Sequence, residues 1–141
     1  IVTRFEDSGL KIIGMKMLWV DEEFAGEHYG KEIEEKHGAR VRNGLVKYIK
    51  EGPVIALCLE GVDAVNVTRK IVGSTYPSES APGTIRGDFA HISKDYANAK
   101  KINVRNLIHA SDTAANAQRE IALWFDNDEL HIYSKELDKH F

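Results

Sequence analysis

The sequence is poor in the features that mark several large protein classes. Its 141 residues hold one cysteine and three prolines. The lone thiol, Cys58, lies inside the apolar run Val54-Ile55-Ala56-Leu57-Cys58-Leu59. That excludes a disulfide framework and reads as core filler suited to a reducing compartment. No apolar run reaches transmembrane length and no signal-peptide pattern is present, so the expected location is cytoplasmic. Positive charge is not in excess. The formal net charge is −3, which argues against a sequence-independent grip on nucleic acid. Neither standard phosphate loop, G-x-x-x-x-G-K-[ST] or G-x-G-x-x-G, occurs. His28, His37, His91, His131 and His140 lack metal-ligand spacing. For His28 and Tyr29, mid-helix, packing or surface exposure is the common explanation. The rest is ordinary. With 43% hydrophobic and 29% charged residues, the chain can form one domain with a real core.

The pattern alternates between strand and helix. Ile1-Val2-Thr3-Arg4-Phe5 resembles the second half of a helix stopped at Gly9, so a segment upstream is expected. Leu10–Val20 reads as a strand, and Asp21 opens a helix running to about Lys36. A second helix covers Val41–Lys50 and ends at Gly52-Pro53. Val54–Glu60 is a central strand, followed by a helix over Asp63–Val72 capped by Gly73. Ser74–Gly87 is a long loop shaped by Pro77, Pro82 and Gly83, of a length compact domains rarely carry without a functional reason. Ser93–Lys101 reads as a polar surface excursion. A strand over Asn103–His109 then enters a helix over Thr113–Phe125, and the tail 126–141 holds one short strand at Leu130–Tyr133. Such alternation predicts α/β layers with helices on one sheet face.

The richest stretch is Asn106-Leu107-Ile108-His109-Ala110-Ser111-Asp112. It places an imidazole where an apolar run meets a helix start, beside N–H groups that favour anions. Glu120 lies one turn beyond Asn116 on the same helix face. It either holds one nitrogen of His109 and frees the other as a nucleophile, or pairs in solvent with Arg119. A Ser111-His109-Asp112 triad is rejected, because neighbours on one turn cannot converge. Ser111 is a cap or a hydrogen-bond partner of the histidine. Asp112 is an N-cap, or less commonly a metal-proximal carboxylate. In Pro82-Gly83-Thr84-Ile85-Arg86-Gly87-Asp88-Phe89, flanking glycines allow close approach and Arg86 offers a fork suited to phosphate. The plain alternative is an ion pair with Asp88. Arg69 and Thr75 could face the same cleft.

Those two runs closely resemble the nucleoside diphosphate kinase family. So do Arg4-Phe5 with Gly9-Leu10-Lys11-Ile12, His28-Tyr29, Gly44-Leu45-Val46, Gly52-Pro53-Val54, Arg69-Lys70 with Gly73, Thr75 with Pro77, and Glu120-Ile121 with Phe125. The resemblance covers nearly the whole chain as a single domain, 1–141. It implies an α+β fold: a ferredoxin-like sandwich with an antiparallel sheet, helices on one face, additional helices and a long loop. It implies ping-pong transfer of a γ-phosphate from a nucleoside triphosphate to a nucleoside diphosphate through a phosphohistidine. On that resemblance His109 is the nucleophile, with Glu120 and Ser111 orienting it and Tyr29 the nearby aromatic. Arg69, Thr75 and Arg86 are phosphate ligands and Asn106 contacts the ribose. Val41 and Leu45 belong to the base end, and Asp112 assists Mg²⁺ through a water. The implied assembly is a homo-oligomer, a hexamer favoured over a tetramer.

Three departures stand out. The family's opening Lys-Pro-Asp strand is not seen before the first helix. Val41, between Arg40 and Arg42, replaces the base-stacking aromatic of many members. The segment between Phe89 and Arg105 is longer than in common members. The alternative is a catalytically impaired nucleotide-binding or protein-interaction member of the same family. A ferredoxin-like nucleic-acid module is disfavoured by the negative charge and the lack of aromatic RNP-type strands.

Overall fold

The structure is a computed structural model that describes residues 1–140. A short helix, α1 (Val2–Asp7), leads into strand β1 (Lys11–Leu18). Helices α2 (Glu22–His28), α3 (Lys31–His37) and α4 (Ala39–Ile49) precede strand β2 (Val54–Glu60). Then come α5 (Ala64–Val72), α6 (Ile85–Phe89), α7 (Lys94–Lys100) and α8 (Ala114–Trp124). Short 3-10 turns cover Pro77–Glu79, Asn127–Glu129 and Glu136–His140.

β1 and β2 pair antiparallel, from Lys11 opposite Glu60 to Leu18 opposite Val54, with an irregularity between Ile12 and Gly14. Alternation along β2 sends Leu57 and Leu59 to one face and Val54 to the other. Leu57 and Leu59 pack against Phe5, Leu10, Val72 and Ile85, a cluster shared with α1 and α5. Leu18 and Val54 pack against a second cluster of Val20, Ala25, Tyr29 and Val46, built on α2 and α4. The expected α+β class is therefore what forms, and the additional helices cover the second face. Phe5 and Ile85 are essentially fully buried, each worth roughly 1.5–3 kcal/mol of apolar burial. Met15, Met17, Trp19 and Ile55 instead stay more than half exposed. They form an uncovered apolar strip at one end of the sheet.

Several elements differ from the sequence reading. The helix expected over 21–36 is two helices. Asp21 caps the first through the Phe24 N–H, and the chain breaks at Tyr29-Gly30, whose extended glycine starts α3. The break turns His28 and Tyr29 into buried residues at a helix end. The long loop holds its own helix α6, capped by Thr84, which accepts the Gly87 N–H. The polar excursion is helix α7, capped by Ser93 and fixed inward by Ala97. Among the described residues no strand forms over 103–109 or 130–133; the latter reaches β1 through the His131 N–H, which donates to the Ile13 carbonyl at 2.7 Å. Strand assignment requires a paired neighbour, which periodicity cannot supply. No described helix is long and apolar enough to cross a membrane.

Candidate active site

The segment entering α8 places the histidine. Ile108 and Ala110 pack into the first apolar cluster. Leu107 takes φ +68°, a left-handed conformation that costs a bulky residue about 1–2 kcal/mol. The kink precedes two anchored residues, and His109 between them has 46% of its side chain exposed. Thr113, not Asp112, caps α8, accepting the Asn116 N–H at 3.1 Å. Asp112 instead accepts the Asn116 side-chain amide at 2.5 Å.

The helix carries Glu120 back to the histidine. Each Glu120 oxygen lies 3.2 Å from His109 Nε2. Ser111 Oγ donates to Glu120 Oε2 at 2.5 Å, so Ser111 holds the carboxylate and not the imidazole. Burial pushes the Glu120 carboxyl up, but His109 and Ser111 outweigh it and hold it below its ordinary value. An ionised carboxylate requires the hydrogen on Nε2 and leaves the neutral His109 with a lone pair on Nδ1. Of the two partners open to Glu120, Arg119 also sits nearby, at 3.8 Å, while reaching Glu32 at 3.5 Å.

Arg86 reaches the same place from α6. Its Nη2 donates to the Ile108 carbonyl at 2.5 Å, and Nη1 donates to Ser74 at 3.0 Å and Gly73 at 3.5 Å. Its buried Nε has no protein partner. Burial, then the nearby Arg69 charge, lowers its pKa. Asp88 does not pair with it; Asp88 pairs with Arg4 at 2.5 Å and accepts the Gly83 N–H at 2.8 Å. Arg69 lines an open cleft with Gly73, Ser74 and Thr84. Asn106 donates to the Thr75 carbonyl at 3.1 Å, tying the long loop to the histidine segment. Val41 and Leu45 stand apart on α4. Asn103, which lies in no motif, links α4 to this segment: its amide donates to the Val41 carbonyl at 3.5 Å. It fills the notch left by Gly44, where a Cβ would lie 2.2 Å from it.

One further group, His28, escaped the sequence reading, and it sits beside the expected Tyr29. His28 is 4% exposed, its Nδ1 accepting the Trp124 indole N–H at 3.1 Å. Tyr29 is also buried, its ring 6.2 Å from that of His109. Burial, then the Glu120 charge, pushes its hydroxyl up to about 12. His28, His109 and Glu120 could supply metal-ligand atoms within 4.8 Å of one another. The indole bond argues against such a centre, because it places the hydrogen of neutral His28 on Nε2 and leaves no free lone pair.

Burial, then His109, lowers the pKa of His28 from 6.5 to about 4. The unfolded chain therefore binds more protons in that window, and stability falls as pH drops from 6.5 toward 4. The loss is on the order of 3 kcal/mol. The Glu120 contribution vanishes at lower pH, below its ordinary 4.5. Urea midpoints measured through this window should slope for the native protein and flatten for His28→Gln.

The site thus sets a half-exposed histidine, held by an ionised glutamate, beside a tethered arginine, and the chain around it is similar to known proteins over nearly its whole length. The family pattern for nucleoside diphosphate kinase matches residues 1–130. The chain belongs to the nucleoside diphosphate kinase family. A nucleoside diphosphate kinase of Borreliella burgdorferi is 44% identical over 137 residues, 96% of this chain and 82% of the relative. One from Pyrococcus furiosus is 45% identical over 138 residues, 98% and 79%. The structure of a Borrelia burgdorferi nucleoside-diphosphate kinase, a transition-state mimic with bound vanadate and ADP, superposes with a TM-score of 0.95. Identity there is 43%, covering 99% of this chain and 83% of that one. A Halobacterium salinarum nucleoside diphosphate kinase in complex with CDP gives 0.80 at 40% identity, covering 99% and 84%. These likenesses carry the ferredoxin-like fold and the enzymatic phosphotransfer activity of the nucleoside diphosphate kinase family.

Proposed function

We propose that the chain transfers the γ-phosphate of a nucleoside triphosphate to a nucleoside diphosphate in two steps through a phosphohistidine at His109. The observation that carries this reading is the exposed ring whose Nε2–H is committed to Glu120. In the first step the Nδ1 lone pair attacks the γ-phosphorus. The bond to the bridging oxygen breaks and its electron pair leaves with the diphosphate. In the second step a diphosphate oxygen attacks the phosphorus and the P–N bond electrons return to Nδ1. Glu120 stabilises the ring through the charge change, and Ser111 holds Glu120. Arg86, Arg69 and Thr75 contact phosphate oxygens, in a reaction that depends mainly on position and charge. Asn106 faces the ribose, and Val41 with Leu45 flanks the base. The buried Tyr29 walls the ring on one side.

Asp112 is an exposed carboxylate that its Asn116 hydrogen bond holds below its ordinary pKa, with Arg69 among the charges near it. That suits a hydrated hard cation held mostly by the substrate. When bound, Mg²⁺ would neutralise charge on the phosphate oxygens, with Asp112 reaching it through water. The uncovered strip of Met15, Met17, Trp19 and Ile55 supports a homo-oligomer, with the hexamer the favoured form. A soluble cytoplasmic protein is the corresponding setting.

Incubation with ATP labelled in the γ-phosphate should give a phosphoprotein stable in base and lost in acid. Adding a second nucleoside diphosphate should discharge the label onto that nucleotide. Tight nucleotide binding with no label on the protein would favour the impaired-member reading instead.

A further inference from the structure

Beside the nucleophile lies a buried ring that the two steps do not use. His28 closes α2, and its Nδ1 accepts the Trp124 N–H. The His28 and Trp124 rings meet edge to face, 5.3 Å apart. The His109 ring lies 4.9 Å from His28, also edge to face. A nitrogen of His28, a nitrogen of His109 and a Glu120 oxygen fall within 4.8 Å of one another. The carboxylate thus has two imidazoles within reach.

We propose that Trp124 and His28 form a positioning pair: the indole bond keeps His28 neutral, so that Glu120 serves His109 alone. The proposal rests on the phosphohistidine reading. An indole N–H is a donor only, so the Nδ1 facing it cannot carry a hydrogen. Protonating that ring would set two donors against each other in a buried site. Burial acts in the same direction. The charges facing His28 from other elements are Glu120 and Arg119 on α8, Glu32 on α3, and His109 itself. The Tyr29 ring adjoins it at 4.6 Å. The two acids pull His28 toward protonation. A cationic His28 would be a stronger partner for Glu120 than the neutral His109, and the nucleophile would lose its orienting carboxylate.

Trp124→Phe keeps an aromatic ring against Phe24, 4.8 Å away, and removes the N–H. In the native protein, ¹⁵N shifts of His28 should report hydrogen on Nε2 and no protonation from about pH 8 down to about pH 5.5. In Trp124→Phe, His28 should take up a proton within that range. Single-turnover phosphorylation by ATP should then slow about three- to tenfold at about pH 6, the worth of one hydrogen bond. It should recover at about pH 8 with KM unchanged. Adding His28→Asn should remove the acid-specific loss. Hydrogen on Nδ1 of native His28 would overturn the proposal. So would a variant in which His28 stays neutral, or a rate lowered equally at every pH. A native protein that forms no phosphohistidine would defeat the underlying reading instead, and the ¹⁵N shifts would still decide the tautomer.

Discussion

His109→Ala is expected to lower phosphate transfer by at least about ten-thousand-fold and to leave no acid-labile phosphate on the protein. The size follows from the kind of group removed. In the proposed mechanism Glu120 orients the His109 ring, Ser111 holds Glu120, and Arg86 meets the phosphate that His109 Nδ1 attacks. Without that nitrogen they have nothing to orient, and a two-step route cannot begin. The fold should survive. His109 is nearly half exposed, and its anchors are the neighbours Ile108 and Ala110. Thermal unfolding close to that of the native protein, with transfer and labelling both lost, is the predicted pair of results. Retained labelling at another residue would end the assignment of His109.

Arg86→Ala should combine a catalytic loss with a structural one. One guanidinium, which in the proposed mechanism supplies charge for phosphate, also holds the carbonyls of Ile108, Ser74 and Gly73. The first of these belongs to the residue before the nucleophile. Losing a preorganised cation should reduce kcat/KM by about a hundred- to a thousandfold. Leaving part-buried carbonyls without their donor should lower stability by about 1–3 kcal/mol. Arg86→Lys restores a charge but not the planar fork, so it should recover little of either loss. Steady-state kinetics with denaturant titration would separate the effects. An Arg86→Ala variant with native kcat/KM would remove the residue from the phosphate site.

The site was more legible than the framework around it. His109, Glu120, Ser111 and Arg86 sit in motifs whose residue types suit the proposed chemistry, and the structure gathers them. The choice between Arg119 and His109 as the partner of Glu120 was not legible, because helix spacing gives a face and not a neighbour. Ser111 looked like a cap or a histidine partner for the same reason. His28 was hidden by the expectation of one helix over 21–36. Gly30 was the available sign that the helix breaks there. Helix α7 hid in a polar run because Ala97 is its buried anchor, and one residue makes no periodic signal. The strands expected near 103–109 and 130–133 failed for want of a pairing partner.

The two apolar clusters meet at the histidine without merging. His109 hangs by its backbone from Ile108 and Ala110, which belong to the first. The glutamate that aims it rides on α8, whose Trp124 beds into the second. Warming that loosens either half lets the ring and its aiming acid drift apart while both halves keep their helices. On heating, turnover is therefore expected to fall before the circular dichroism does.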